Sequence, residues 1–196
     1  VVLLISFPVQ MTQWPAALGV AGAEAISLID TLRYVTGGNL PIDVDAYTGA
    51  TALDFTKTQL KQAAVLSEIA NAPVYGHLGA LAWEWIGAAF ALGGIALILL
   101  RVMPWHGPVA MLASLFIIAE VFSVYDADSF PGGLFHLFSG GVMLGAFFII
   151  TDPVSGCTSN KGRLIFGALV GILIYVIRTW GGYPDGIAFS VLLANM

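Results

Sequence analysis

The stretch LGALAWEWIGAAFALGGIALILL at residues 78–100 contains one charged side chain, Glu84, in an otherwise apolar run. A helix needs about 20 predominantly apolar residues to cross the hydrocarbon core of a bilayer, so this stretch predicts a membrane-spanning helix. The composition of the whole chain agrees, with 58% hydrophobic and 10% charged residues, whereas soluble domains carry about 25% charged residues. The sequence therefore predicts an all-α polytopic membrane protein that folds as a helical bundle.

Three further apolar stretches predict additional spans, and they lie at residues 107–124, 132–150 and 164–177. The middle one is uncharged and rich in glycine, and Gly140, Gly141 and Gly145 are places where another helix could approach closely. The last one is short for a span. Snorkelling of Arg163 and Arg178 at its ends would let it reach across the bilayer, and a re-entrant or broken helix is the alternative.

The polar part of the chain, residues 11–76, has no uninterrupted apolar run of spanning length. It predicts an extramembrane segment, followed by a membrane domain at residues 77–196. Within the extramembrane segment, residues 54–70 are expected to form a short amphipathic helix with Asp54 as its N-cap.

Both ends of the chain are apolar and too short to cross a bilayer, at residues 1–10 and 186–196. No basic region precedes the first run, which disfavours a signal peptide. We therefore expect two truncated spans, and an internal fragment of a longer protein.

Basic residues in the short loops predict the orientation of the spans. Counting through the spans places Arg101, Lys161 and Arg163 on one side of the membrane and Arg178 on the other. Since cytoplasmic loops carry the excess of Lys and Arg, the first side is predicted to be cytoplasmic. The segment at residues 11–76 then lies outside the inner membrane, which in a bacterial cell means the periplasm.

Charge and composition exclude several kinds of site. The net charge of −5 argues against a nucleic-acid partner, because binding phosphates needs clustered Lys and Arg. The single cysteine, Cys157, excludes an internal disulfide framework and a cysteine-built metal or iron–sulfur site. The three histidines, His77, His106 and His136, show no metal-ligand spacing, so no metal site is predicted.

The stretch DAYTGAT at residues 45–51 is the part of the extramembrane segment in which chemistry is expected. Gly49 and Ala50 are small, so they leave Thr51 accessible and permit backbone shapes that bulkier residues disfavour. The Thr51 hydroxyl can accept a phosphate ester, and backbone amides around a glycine can contact phosphate oxygens. From these residues alone, an ordinary polar turn is the alternative.

The same stretch resembles a flavinylation pattern, Asp-x-x-Ser/Thr-Gly-Ala-Thr, in which a flavin transferase moves FMN from FAD onto the final threonine as a phosphoester. The defined positions of the pattern are filled here by Asp45, Thr48, Gly49, Ala50 and Thr51. The resemblance implies that Thr51 carries covalent FMN and that the other four residues belong to the cofactor-binding motif. Thr51 would be an attachment point and not a catalytic base.

Three more stretches extend the resemblance over most of the chain, namely VVLLISFPVQMT at residues 1–12, FHLFSGGVMLGAFFIITDPVS at 135–155 and KGRLIFGALVGILIYVIRTWGGYPDGIAFSVLLAN at 161–195. They resemble the family that unites the D subunit of the Rnf (or Rsx) electron-transport complex with the B subunit of the sodium-translocating NADH:quinone reductase. RTWGGYPDG at residues 178–186 favours the Rnf type, and the quinone-reductase type is the alternative. The implied partners are the other subunits of that complex, membrane lipid, and a flavin transferase for maturation.

A near-copy of the pattern, DPVSGCT, lies at residues 152–158, with Cys157 in place of the alanine. Thr158 is disfavoured as the attachment site because its loop is predicted to be cytoplasmic, whereas the family's attached flavin lies on the exported side. The simple interpretation of this loop is a helix stop and a turn at Pro153. The alternative is a wall of an ion path or of a second, non-covalent flavin site.

The resemblance implies a membrane subunit of an ion-translocating oxidoreductase complex, which carries covalent FMN and couples electron transfer to translocation of Na⁺ or H⁺. Such a subunit is an electron carrier and is not catalytic alone. The alternative is a cofactor-free ion channel or transporter component that uses Glu84 and Glu120, because ionisable residues inside spans often mark ion routes. Interfacial solvation would explain both glutamates equally well. Arg178 and Asp185 are expected to pair with each other.

Overall fold

The computed structural model describes residues 51–81, 83–154 and 156–196, together with Ser6, Ile29, Leu32, Arg33 and Thr36. Within this part of the chain the secondary structure is helical, with no β-strand and one isolated β-bridge between Tyr75 and Ala80. The predicted all-α class is confirmed for these residues.

The α-helices of the described part follow one another as α1 Ala52–Lys61, α2 Leu66–Ile69, α3 Trp83–Leu99, α4 His106–Tyr125, α5 Gly133–Leu137, α6 Val142–Leu144, α7 Asn160–Trp180 and α8 Ile187–Ala194. A five-residue π-helix, Gly145–Ile149, continues directly from α6.

Helices α4 and α7 form the central pair and run parallel to each other. Two glycines of α7 at i and i+4 make the close approach possible. A Cβ atom at Gly167 would collide with the carbonyl oxygen of Gly107, and one at Gly171 with that of Met111. At the other end of the pair, the Phe122 ring stacks on Tyr175, with a centroid distance of 5.4 Å. Small residues at this spacing let two helix backbones meet, as in membrane helix pairs.

The hydrophobic core lies between this pair and the broken helical segment that follows α5. Met111 and Leu115 of α4, Val142 of α6, and Val170 and Ile174 of α7 are all fully buried. Because side chains four residues apart stack on one helix face, α4 and α7 each contribute one continuous stripe to this core.

The outer surfaces of the helices remain apolar. Helices α4 and α7 are long and apolar enough to cross a membrane, whereas α3 is apolar but shorter, at 17 residues. Large side chains point outward from them, for example Leu92 at 70% exposure and Val121 at 61%. Soluble monomers rarely expose large contiguous apolar surface, so these faces suit a hydrocarbon surrounding.

The glycine-rich stretch at residues 132–150 is not one continuous helix. It is divided into α5, a loop, α6 and the π-helix. Gly140 lies in the loop with a φ of +68°, a left-handed conformation that an α-helix cannot accommodate and that glycine adopts without a steric penalty. Gly145 packs against Ile187 of α8, as a close-approach position would.

Helix α7 is longer than the apolar stretch at residues 164–177 indicated. It has 21 residues, and the Ser159 hydroxyl caps its start by accepting the N–H of Gly162 at 3.1 Å. A helix of this length rises roughly 30 Å. The alternative of a broken helix is therefore wrong for this stretch, and the break lies in the preceding stretch instead.

The amphipathic helix expected at residues 54–70 is also different in the structure. Helix α1 begins earlier, after Thr51 as N-cap, so Asp54 occupies the third helical position and is not the cap. The helix stops at Lys61, and Ala63 follows with a left-handed φ of 62°. The prediction of one helix capped by Asp54 is therefore wrong.

Candidate functional site

Thr51 stands at the start of α1 as its N-cap. Its backbone is extended (φ −79°, ψ 163°), the residue is half-buried, and its Oγ1 accepts the N–H of Asp54 at 3.4 Å. The first N–H groups of a helix have no partner within the helix, and they form the positive end of the helix dipole. A phosphate ester on this oxygen would lie beside these groups, so the local structure suits the implied phosphoester.

The other motif residues, Asp45, Thr48, Gly49 and Ala50, lie outside the described residues. Their predicted roles stay predictions.

The buried face of α1 packs on the loops around it. Ala52 and Leu53 are almost fully buried, and the Thr56 hydroxyl lies 2.6 Å from both the Ala52 carbonyl oxygen and the Tyr75 hydroxyl. The Tyr75 ring in turn contacts Phe135 at a centroid distance of 6.0 Å. The start of α1 is therefore held against α5 and the residues before α3.

Lys57 connects α1 to the C-terminal end of α7. Its Nζ donates hydrogen bonds to the carbonyl oxygens of Arg178 at 2.8 Å, Tyr183 at 2.9 Å and Ile177 at 3.2 Å. Burial, together with the positive charges of Lys61 and Arg178, lowers the pKa of Lys57 to about 8, and the nearby Asp54 carboxylate opposes this shift. At neutral pH the amine still carries its proton and can make all three bonds.

Arg178 organises the same end of α7 from inside the protein. Its guanidinium donates to the carbonyls of His136 at 2.7 Å and Ser139 at 3.0 Å, which lie on either side of the α5 terminus. It also pairs with the Asp185 carboxylate at 3.0 Å, and the other oxygen of Asp185 accepts the N–H of Gly141. The predicted pairing of Arg178 with Asp185 is confirmed, and the arginine also binds the carbonyls where the helix breaks.

A pocket of about 270 Å³ opens beside α1 at this end of the molecule. Its wall is made by α1, the loop before α5, and the end of α7, and it includes Leu53, Thr56, Phe130, His136 and Trp180. Ligand pockets in proteins begin at about 300 Å³, so this space is at the lower end of that range.

Two buried side chains near the helix break carry polar atoms without a hydrogen-bond partner in the described part of the chain. These atoms are both ring nitrogens of His136 and the hydroxyl oxygen of Ser139, on residues that are 4% and 0% exposed. Buried polar groups of this kind are commonly satisfied by ordered water.

The two glutamates that were considered as ion ligands, Glu84 and Glu120, bind backbone amides. The Glu84 carboxylate accepts the N–H of Leu78 at 3.0 Å, and that of Glu120 accepts the N–H of Gly133 at 2.8 Å, at the start of α5. Each thereby closes a turn near the end of a helix. Each carboxylate therefore has a structural role, and the two lie in different parts of the molecule.

The near-copy loop at residues 152–158 lies at the opposite end of the α4–α7 pair. The N–H of Gly156 bonds the carbonyl of Asp152 at 2.9 Å, which forms the turn expected after the apolar stretch. Thr158 lines a second pocket of about 320 Å³ with Gly107 and Arg163, at the N-terminal ends of α4 and α7. Thr51 and Thr158 are thus separated by about the length of α7, roughly 30 Å.

The titratable side chains form no metal site in the described part of the chain. Among residues 51–81, 83–154 and 156–196, no group of three or more His, Cys, Asp or Glu side chains is arranged to hold a metal ion.

Lys57 and the glycine pair of α7 were not predicted as functional or structural sites. Lys57 lies on the same face of α1 as Leu53, Thr56 and Leu60, because these four positions follow the i, i+3, i+4, i+7 pattern of one helix face. A lysine within such a face was the available signal, but its carbonyl partners are more than 100 residues away in sequence.

Comparison with known proteins gives one consistent result. The family described as NQR2, RnfD, RnfE matches residues 1–196. Three relatives are each named as the D subunit of an ion-translocating oxidoreductase complex. The protein from Aliivibrio salmonicida (strain LFI1238) is 50% identical over 205 residues, that from Pseudomonas aeruginosa (strain UCBPP-PA14) 51% over 197, and that from Vibrio cholerae serotype O1 (strain ATCC 39541 / Classical Ogawa 395 / O395) 46% over 205.

These alignments cover 100% of the chain but 58%, 55% and 59% of the respective relatives, so the chain spans little more than half of their length. The resemblance inferred from the sequence is confirmed, and this chain belongs to the NQR2, RnfD, RnfE family.

Proposed function

We propose that this chain is the flavin-bearing part of a membrane subunit in an ion-translocating oxidoreductase complex, with FMN attached to Thr51 as a phosphoester. The proposal is carried by the position of Thr51, a half-buried hydroxyl at the N-terminal end of a ten-residue helix. The names of the relatives support the complex. The sequence pattern at residues 45–51 supports the cofactor.

Attachment would proceed at the Thr51 hydroxyl. Its Oγ1 would form the bond to the FMN phosphorus of FAD and release its proton to solvent, while the P–O–P bond of FAD would break and AMP would leave with the bonding electrons. Once esterified, the oxygen no longer donates, but the phosphate oxygens can accept the N–H groups of the first turn of α1. When bound, FMN accepts and donates electrons, and the protein supplies its placement and electrostatic surroundings.

The location of the site explains why a covalent bond would be useful. We place Thr51 on the periplasmic side of the inner membrane, at the end of the bundle opposite the basic loops with Arg101, Lys161 and Arg163. A dissociated cofactor would be lost there, whereas a tethered one is retained. Neighbouring subunits would exchange electrons with this site, and the coupled ion is Na⁺ or H⁺.

Flavin fluorescence after denaturation tests the proposal. The full-length protein is co-expressed with its flavin transferase, separated on a denaturing gel and viewed under ultraviolet light. We expect a fluorescent band for the wild type and for Thr158→Ala, and none for Thr51→Ala. Mass spectrometry of the peptide that contains Thr51 should show the FMN phosphoester.

The matched threonine variant makes the result specific. A dark wild-type band would refute covalent attachment to this chain. A fluorescent Thr51→Ala band would move the site to another residue, with Thr158 as the next candidate. Staining for protein on the same gel shows that each variant accumulates.

A further inference from the structure

Lys57 is fully engaged at the end of α7. An ammonium group has three protons, and the structure provides three carbonyl oxygens within 3.2 Å of Nζ, on Ile177, Arg178 and Tyr183. The amine therefore has no proton left for a ligand in the adjoining pocket. Its hydrogen bonds hold α1 against the end of α7.

The carbonyls that Lys57 contacts are well suited to a cation. The last carbonyl groups of a helix lack partners within the helix, and they form the negative end of its dipole. The Ile177 carbonyl also accepts the N–H of Gly181 at 2.9 Å, which uses the second lone pair. The helix end and the individual hydrogen bonds offset part of the cost of burying the positive charge.

The surface beneath α1 is itself rigidly held. Arg178 joins the end of α7 to the carbonyls of His136 and Ser139 and to the Asp185 carboxylate. Gly140, within the same loop, leaves room for α1, because a Cβ atom there would lie 2.8 Å from the Leu53 side chain. Helix α1 thus rests on a platform made by the end of α7 and the helix break.

We propose that Lys57 is a positioning residue. Its hydrogen bonds to the final carbonyls of α7 and to the Tyr183 carbonyl after it fix the place of Thr51, and of any group attached to it, on the end of the bundle. Thr51 precedes Lys57 by six residues of a continuous helix, which is roughly 9 Å along its axis. A rigid helix of that length transmits the position of Lys57 to Thr51. The effect on the flavin rests on the proposed function, whereas the docking of α1 does not.

The docking of α1 is expected to depend on pH because of the charged groups around Lys57. Lys61 and Asp54 face it from α1, Arg178 from α7, and Asp185 belongs to the Arg178 pair. The docked amine has a pKa of about 8, against an ordinary value of 10.5 when α1 is open. Opening α1 between these two pH values requires uptake of a proton, so rising pH opposes opening.

Hydrogen exchange of the full-length protein tests the docking without needing the flavin. The variant Lys57→Met keeps a side chain of similar length but removes the hydrogen-bond donors. We expect the amides of α1 to exchange about tenfold faster or more in this variant, because hydrogen bonds from a charged group are lost. Lys57→Arg should stay close to the wild type. Lys61→Met is the matched control, since Lys61 is exposed on the same helix, and it should not speed exchange because it removes only a repulsion of the Lys57 charge.

The pH series provides a second measurement on the wild type itself. After correction for intrinsic exchange, the protection of α1 should increase by up to about tenfold per pH unit above pH 8, which corresponds to one proton taken up on opening. Lys57→Arg, which does not titrate in this range, should show no such increase. If Lys57→Met fails to accumulate, Lys57→Gln is the second variant, and α1 should exchange faster in it as well, because the charge and one of the three donors are lost.

The flavin gives the third readout. In the flavin-loaded complex, Lys57→Met should keep the fluorescent band but lower the fluorescence anisotropy of the flavin. Unchanged exchange in Lys57→Met, or an equal effect of Lys61→Met, would overturn the positioning role. A dark wild-type band combined with the expected exchange results would instead refute the proposed function and leave the docking of α1 established.

Discussion

The two ends of the α4–α7 pair carry similar sequence motifs but are built differently. One end has Thr51 and a pocket of about 270 Å³, and the other has Thr158 and a pocket of about 320 Å³. At the Thr51 end, Lys57 and Arg178 bind carbonyl groups that lie 39 to 126 residues away in sequence. At the Thr158 end, Arg163 binds Cys157 and Asn160, six and three residues away.

The difference shows what fixes a site in space. Contacts between neighbours in sequence shape a turn but do not determine where the turn lies in the molecule. Contacts across more than 100 residues place one element on another. The Thr51 end therefore has the positioned helix, and the Thr158 end has a locally closed loop.

The largest loss of stability is expected when the Arg178 side chain is removed. In Arg178→Met the Asp185 carboxylate and the carbonyls of His136 and Ser139 lose their partner, and removing one member of such a buried network costs about 3 kcal/mol. We expect the midpoint of thermal unfolding in detergent to fall strongly. Arg163→Met, at the other end, should change it far less.

A double variant separates the ion pair from the carbonyl contacts. If the pair matters, Arg178→Met combined with Asp185→Leu should be less destabilised than the sum of the single variants. Equal losses for Arg178→Met and Arg163→Met would contradict the contrast between the two ends.

A smaller effect is expected from Gly140→Ala. A methyl group there would lie 2.6 Å from the Asp185 carboxylate and 2.8 Å from Leu53, on a backbone with a left-handed φ. Overpacking together with backbone strain costs about 1–3 kcal/mol. The free energy of unfolding should decrease by this amount, and α1 should exchange faster. Gly182→Ala, where no atom lies within 4 Å of the added carbon, is the control and should be close to neutral.

The smallest effect is expected when Glu120 becomes glutamine. The amide oxygen of Gln can still accept the N–H of Gly133, so the turn before α5 is retained. Glu120→Ala loses this bond and should cost about 1 kcal/mol. If ion translocation by the complex survives Glu120→Gln, the carboxylate acts as a hydrogen-bond acceptor. A loss of translocation with unchanged stability would instead support the ion-route alternative.

Much of the membrane domain could be predicted because apolar stretches report directly on burial and on lipid. Helix α4 begins and ends within one residue of the stretch at 107–124. Hydropathy underestimated the length of α7, because the first and last turns of this helix are polar and contain Lys161 and Arg178. It also missed the break in the helix at residues 132–150, since an uninterrupted apolar run does not reveal a left-handed glycine inside it.

The sequence by itself determined the all-α class, the family, and Thr51 as the candidate attachment residue, because composition and a short motif are local properties. Only the tertiary structure decided that Thr51 caps a helix and that Lys57 docks this helix on α7. These facts depend on which carbonyl groups lie at the end of a distant helix, and a linear pattern contains no information about that proximity.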